Sequence, residues 1–179
     1  MDKALGLIEY KSIARGIGAC DSMLKAGNVE LLVATVLCPG KFIAMVSGDV
    51  EAVRFAVRKG VEYDPPHVIA DLVLPQVHAS VFPALSATTA FELKGALGVI
   101  ETIDAASGVI VGDTAAKAAN VDLLEIRLAR GMGGKAFVSL CGELAAVNAA
   151  VKSVENKFKN EGILMATAII PSPNRQLTF

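Results

Sequence analysis

Four consecutive residues, Cys38-Pro39-Gly40-Lys41, set a thiol immediately before a Pro-Gly turn. Pro39 presets the turn and Gly40 accepts a positive φ, so the thiol is held at an exposed tip with little bulk around it. A thiolate there is a soft metal ligand, but an iron–sulfur cluster takes about four ligands, usually thiolates, and one chain offers a single cysteine at this tip. Taken alone, Cys38 therefore reads as a small residue ending a strand. Cys20 falls on an apolar helical face and Cys141 at a strand end matching Ser47, and both read as packing residues. His67 and His78 have no cysteine or carboxylate at ligand spacing. Glu9 and Glu101 each follow an apolar strand and suit a structural hydrogen bond rather than acid–base work. Gly131-Met132-Gly133-Gly134 is glycine-rich, yet it joins two strands and precedes no helix, so it lacks the geometry of a phosphate loop. With no nucleophile–base pair in the chain, no enzymatic turnover is expected.

The elements that must position this turn occur twice. Ala4-Leu5-Gly6-Leu7-Ile8-Glu9 returns as Ala96-Leu97-Gly98-Val99-Ile100-Glu101, and Asn28-Val29-Glu30-Leu31-Leu32 returns as Asn120-Val121-Asp122-Leu123-Leu124. Gly48-Asp49-Val50-Glu51-Ala52-Val53 returns as Gly142-Glu143-Leu144-Ala145-Ala146-Val147. Between these last blocks the copies diverge: the first has the Cys38 turn, and the second runs through Arg130-Gly131-Met132-Gly133-Gly134-Lys135, with two extra residues and no thiol.

Within the first copy the pattern predicts a strand over Lys3 to Tyr10 and a helix capped by Ser12 and running to about Ala26. Ile13, Ile17, Cys20, Met23 and Leu24 share its apolar face, and Gly27-Asn28 supplies a left-handed stop. Val29 to Leu37 and Phe42 to Gly48 form a hairpin across the Pro-Gly turn. Asp49 caps a second helix, with Val50, Val53, Ala56 and Val57 inward, ending at Gly60, and Val68 to Leu74 is the fourth strand. The second copy predicts a strand from about Gly95, a helix near Ser107 to Ala119, a hairpin from Val121 to Cys141, a helix from Leu144 to about Lys159, and a last strand over Ile163 to Ile170. The fold class is α/β in the α+β sense: two tandem ferredoxin-like βαββαβ domains, residues 1–92 with the linker and 93–179. Pro75 to Leu93 is the connection, with one short helix, and the residues after Pro171-Ser172-Pro173 form a loose tail.

Composition removes several function classes. Hydrophobic residues make up 53% of the 179, but the longest stretch free of Asp, Glu, Lys and Arg, Leu72 to Phe91, is broken by prolines and polar residues, so no membrane partner is expected. The apolar excess suits contacts between subunits. A net charge of −1 and 5% aromatic residues without tryptophan argue against nucleic acid. The N-terminus lacks the order of a signal peptide and three unpaired cysteines suit a reducing compartment, so a cytoplasmic location is expected.

The two copies together resemble the bacterial microcompartment shell proteins of the tandem-domain kind. Carrying the resemblance are the opening Ala-Leu-Gly-(Leu/Val)-Ile-Glu of each half and Asp21-Ser22-Met23-Leu24-Lys25-Ala26-Gly27-Asn28-Val29 with its partner Asp113 to Val121. The Gly-Lys pairs, Gly40-Lys41 and Gly134-Lys135, and the Gly-(Asp/Glu) before each second helix match as well. The chain departs from many members at the end of each fourth strand, where Pro75-Gln76-Val77-His78 and Pro171-Ser172-Pro173-Asn174 replace an arginine between two prolines.

The resemblance implies a pseudohexagonal homotrimer, a flat tile that joins other shell proteins at its edges, with Lys25 and Lys117 as edge lysines. For members with this order of elements and a cysteine turn, it implies one 4Fe-4S cluster per trimer on the three-fold axis. Three copies of Cys38 would ligate three corners, with Pro39, Gly40, Lys41, Gly131, Met132, Gly133 and Gly134 lining the axis. Such a tile would pass electrons across the shell or deliver a cluster inward, with an encapsulated oxidoreductase as a partner. Two other readings fit the same residues: a tile whose axis is an open pore for small metabolites, and a discrete trimeric ferredoxin-like sensor of small molecules.

Overall fold

Alternate residues of the first strand, Ala4, Gly6, Ile8 and Tyr10, share one face, and a period of two is what lays a strand beneath a helical layer. In the computed structural model this segment is β1 (Ala4–Tyr10), flanked on both sides by antiparallel partners. The structure describes residues 3–89, 94–128, 131–174 and 176–177. The first repeat continues with α1 (Ile13–Ala26), β2 (Glu30–Leu37), β3 (Lys41–Gly48), α2 (Val50–Tyr63), a single 3-10 turn (Pro65–His67) and β4 (Val68–Leu74). After α3 (Val81–Leu85), the second repeat gives β5 (Ala96–Thr102), α4 (Ala105–Ala118), β6 (Asp122–Leu128), β7 (Ala136–Gly142), α5 (Leu144–Phe158) and β8 (Leu164–Ile170). Strand order is β2-β3-β1-β4 in one sheet and β6-β7-β5-β8 in the other, the antiparallel βαββαβ arrangement expected for each half.

Tertiary contacts divide these elements into two compact units. One holds β1 to β4 and also the turn Gly131–Gly134, and the other holds α3 and β5 to β8. The expected boundary at 92/93 falls outside the described residues, as do Arg130 and the ends of the expected tail.

In the first unit Gly6, Ile8 and Tyr10 stand opposite Val46, Ala44 and Phe42. Ile8, Tyr10 and the three β3 residues pack with Ala19, Cys20 and Met23 of α1 and with Val53, Ala56 and Val57 of α2 in one core. The Tyr10 hydroxyl donates to the Gly60 carbonyl at 2.6 Å, so the one polar atom on this face is satisfied. In the second unit Ile100, Val109, Val138, Leu140, Val147 and Val151 are buried in the same pattern.

Four local expectations are corrected. The buried face of α1 is Gly16, Ala19, Cys20 and Met23, while Ile13, Ile17 and Leu24 stay exposed, Ile17 by 54%. Closest approach decides this: a Cβ on Gly16 would lie 2.7 Å from the Phe42 side chain, so the helix turns Gly16 to the sheet there and Ile13 and Ile17 point outward. Gly27 is extended, at φ −139, and its role is close packing, since a Cβ there would come 2.9 Å from the Ala52 carbonyl oxygen. Helix α2 does not stop at Gly60 but runs to Tyr63, because Gly60 lies inside it beneath Met23 and Ile8. Helix α4 starts at Ala105, two residues early, because Asp104 caps it by accepting from the Ser107 amide at 2.7 Å.

Gly6, in the opening block of the repeat, is where α2 crosses β1. An added Cβ would lie 2.6 Å from Val57 Cγ2 and 2.7 Å from Val53 Cγ1, both on stiff β-branched side chains. Gly6→Ala is expected to destabilise the protein by about 1–3 kcal/mol through overpacking. At Gly98 the nearest atom is the flexible end of Leu140, at 2.8 Å, and the one stiff neighbour, Val147 Cγ1, stands farther off at 3.0 Å. Gly98→Ala should cost less, and urea denaturation of the two variants checks the order.

Candidate metal centre at the Cys38 turn

The hairpin β2–β3 closes with Leu37 opposite Lys41, leaving Cys38, Pro39 and Gly40 as the tip. The Cys38–Pro39 peptide is cis, and Gly40 has φ 81, the positive value expected of it. Leu37 is buried and anchors the turn, while Cys38 is half-buried and Pro39 and Gly40 are exposed. The glycine-rich turn of the second repeat, which packs with the first unit, reaches this thiol: the Gly131 amide donates to Cys38 Sγ at 3.3 Å. Gly131, Gly133 and Gly134 all have positive φ. A Cβ added at Gly40, Gly131 or Gly133 would meet nothing within 4 Å among the described residues, so the tip opens on free space.

Lys41 does not project freely beside the thiol. Its Nζ donates to Glu9 Oε1 at 2.8 Å, and Glu9 is 1% exposed. The matching pair of the second repeat, Lys135 and Glu101, is looser at 3.9 Å and half-exposed. The structural role expected of Glu9 thus takes the form of a buried ion pair.

Cys20 and Cys141 are buried, as expected of packing residues, and desolvation pushes both thiols up; the Asp21 carboxylate adds to the effect at Cys20. Such thiols remain protonated and make poor ligands. No carboxylate is expected at ligand spacing from His67 on sequence grounds, but Asp64, three residues back on the same short turn, brings Oδ2 to 3.0 Å from His67 Nδ1; His78 Nδ1 lies 2.8 Å from Ser80 Oγ. Among the described residues of one chain, no group of three Cys, His, Asp or Glu gathers as a metal site.

Known proteins decide the family. The chain is 39% identical, over 99% of its length and 96% of the relative's, to the bacterial microcompartment shell protein PduT of Citrobacter freundii. A family model described as BMC domain matches residues 4–77 and again 96–173. The chain belongs to the bacterial microcompartment shell-protein family. A crystal structure of a microcompartment protein from Desulfitobacterium hafniense superposes with a TM-score of 0.93 at 45% identity, covering 97% of each chain. A fused permuted hexameric shell protein superposes at 0.63 with 21% identity, over 88% of this chain and 84% of its own, which supports the fold alone. This is then a structural shell protein and not an enzyme, and its place is the microcompartment shell. Among the described residues no helix is long and apolar enough to cross a membrane.

Both expected edge lysines of this shell protein lie at the ends of corresponding helices. Lys25 pairs with Asp21 and Lys117 with Asp113, each one helical turn back at 2.6 Å. Asp113 also accepts the His78 amide at 2.8 Å. Neither aspartate had been assigned a role from the sequence, although the Asp-x-x-x-Lys spacing recurs in both copies and signals the pairing.

Proposed function

We propose that the chain forms a trimeric, pseudohexagonal tile in which Cys38 from each of three subunits holds one 4Fe-4S cluster on the three-fold axis. The observation that carries this reading is the Cys38 tip itself. It presents a half-buried thiol with an amide donor on its sulfur and open space before it, which suits a thiolate shared between chains. The bound cluster would supply one-electron transfer across the shell, to or from an encapsulated oxidoreductase. Gly131 would donate to the ligating sulfur, a bond of the kind that tunes a cluster, and Pro39, Gly40, Met132 and Gly133 would line the axis without crowding it. Iron and acid-labile sulfide counted on anaerobically purified trimer test the reading: about four iron atoms per trimer are expected. Iron-free trimer after careful reconstitution would leave an open axis suited to small metabolites.

Lys25 and Lys117 serve as the tile-edge contacts in this reading. Lys25 has a 75% exposed side chain, and its partner Asp21 is exposed too, so little of the fold depends on the pair. Lys25→Ala is expected to weaken growth of extended sheets in electron micrographs while leaving the trimer intact by light scattering. Sheets equal to wild type would remove Lys25 from the edge.

A further inference from the structure

Asp113 of α4 is satisfied at both oxygens, since Lys117 Nζ donates to Oδ2 at 2.6 Å and the His78 amide donates to Oδ1 at 2.8 Å. His78 opens a short turn: its Nδ1 accepts the Ser80 amide at 3.3 Å and its carbonyl accepts the Val81 amide at 3.0 Å. α3 follows and packs against α4 and β6, with Val81 fully buried. One helical turn before Asp113, Val109 is fully buried too. The tail after β8 repeats the turn bond for bond. Asn174 Oδ1 accepts the Gln176 amide at 2.9 Å and the Asn174 carbonyl accepts the Leu177 amide at 2.9 Å, so Asn174 stands where His78 does and Leu177 where Val81 does. Yet Leu177 is 41% exposed, and the Asn174 amide has no hydrogen-bond partner among the described residues.

Helix α1 carries the other half of the contact. Asp21, the counterpart of Asp113, gives Oδ2 to Lys25 at 2.6 Å, while its Oδ1 has no partner among the described residues. Ile17, in the place of Val109, is exposed, and so is Leu24 beyond Asp21. We infer that the turn Asn174–Leu177 of one copy docks on α1 of a second copy, with the Asn174 amide donating to Asp21 Oδ1 and Leu177 lying on the apolar face of Ile17 and Leu24. The second repeat shows the same turn, aspartate and apolar position already mated, and the duplication supplies both unmated halves in every chain. Because the contact joins two different surfaces, it runs head to tail and closes a ring where the rotation allows. The inference deepens the trimer reading and rests on it only for the number of copies in that ring.

Leu177→Asp and Ile17→Asp alter side chains that are exposed in the single chain, so the fold of that chain does not depend on them. In sedimentation equilibrium of the full chain, each is expected to raise the dissociation constant of the assembly about tenfold or more, because each forces a charge into the contact. Leu144→Asp, at a similarly exposed leucine on α5, should assemble as wild type does. Asp21→Asn keeps an oxygen acceptor and Asp21→Ala does not, so the asparagine variant should assemble more tightly than the alanine variant. Wild-type assembly by Leu177→Asp or Ile17→Asp, or equal assembly by the two Asp21 variants, overturns the inference and leaves the trimer reading standing. An assembly of another size that both aspartate variants dissolve upholds the inference and overturns the trimer reading. A wild type that stays monomeric overturns both.

Discussion

Serine at position 38 is expected to take the iron content of the trimer from about four atoms to almost none, with loss of visible absorbance, while the trimer persists. The hydroxyl is a hard, weakly acidic donor where iron in a sulfide cluster takes a soft thiolate, and in the proposed trimer one substitution would remove all three ligands. Little of the fold is at stake. Cys38 is half-buried at a turn tip, its sulfur accepts from the Gly131 amide, and a serine oxygen accepts the same bond. Cys20→Ser and Cys141→Ser provide the contrast. Both thiols lie in packed surroundings that hold them protonated, so those variants should keep their iron and lose stability instead. Iron retained in Cys38→Ser would place the ligands elsewhere.

How much of this was legible in the sequence depends on how local each determinant is. The order of elements in both halves could be read directly, because each strand or helix carries its own period and the duplication states it twice. β4 falls on Val68–Leu74 as expected, bounded by the prolines before it and Pro75 after it. The Cys38 tip was legible for the same reason, since Pro-Gly chemistry is local. What depends on a distant neighbour was not. Gly16 turns the buried face of α1 away from Ile13 and Ile17 only because Phe42 lies beneath it. Gly60 looked like a stop until Met23 and Ile8 filled the space where its side chain would be. The amide on Cys38 Sγ comes from a residue 93 positions away. Glu9 and Glu101 occupy the same place in the same motif, yet one is 1% exposed and the other 47%, a difference that no single copy of the motif contains.

That last difference leads to the largest stability effect expected. Methionine at position 41 keeps much of the bulk of the lysine and removes its charge, leaving Glu9 buried with neither oxygen paired. Breaking a buried pair from one side costs about 3–5 kcal/mol, because the remaining charge has lost water and gained nothing in exchange. Methionine at position 135 removes the corresponding lysine from a half-exposed pair at 3.9 Å, where Glu101 is still solvated, and the expected loss is below about 1 kcal/mol. The double variant Glu9→Leu with Lys41→Met should recover most of what Lys41→Met loses, since an apolar pair leaves no orphan charge. Urea denaturation of the three variants beside wild type settles the matter. Equal losses at 41 and 135 would mean that Glu9 finds water in solution, and its charge would then place no strain on the fold.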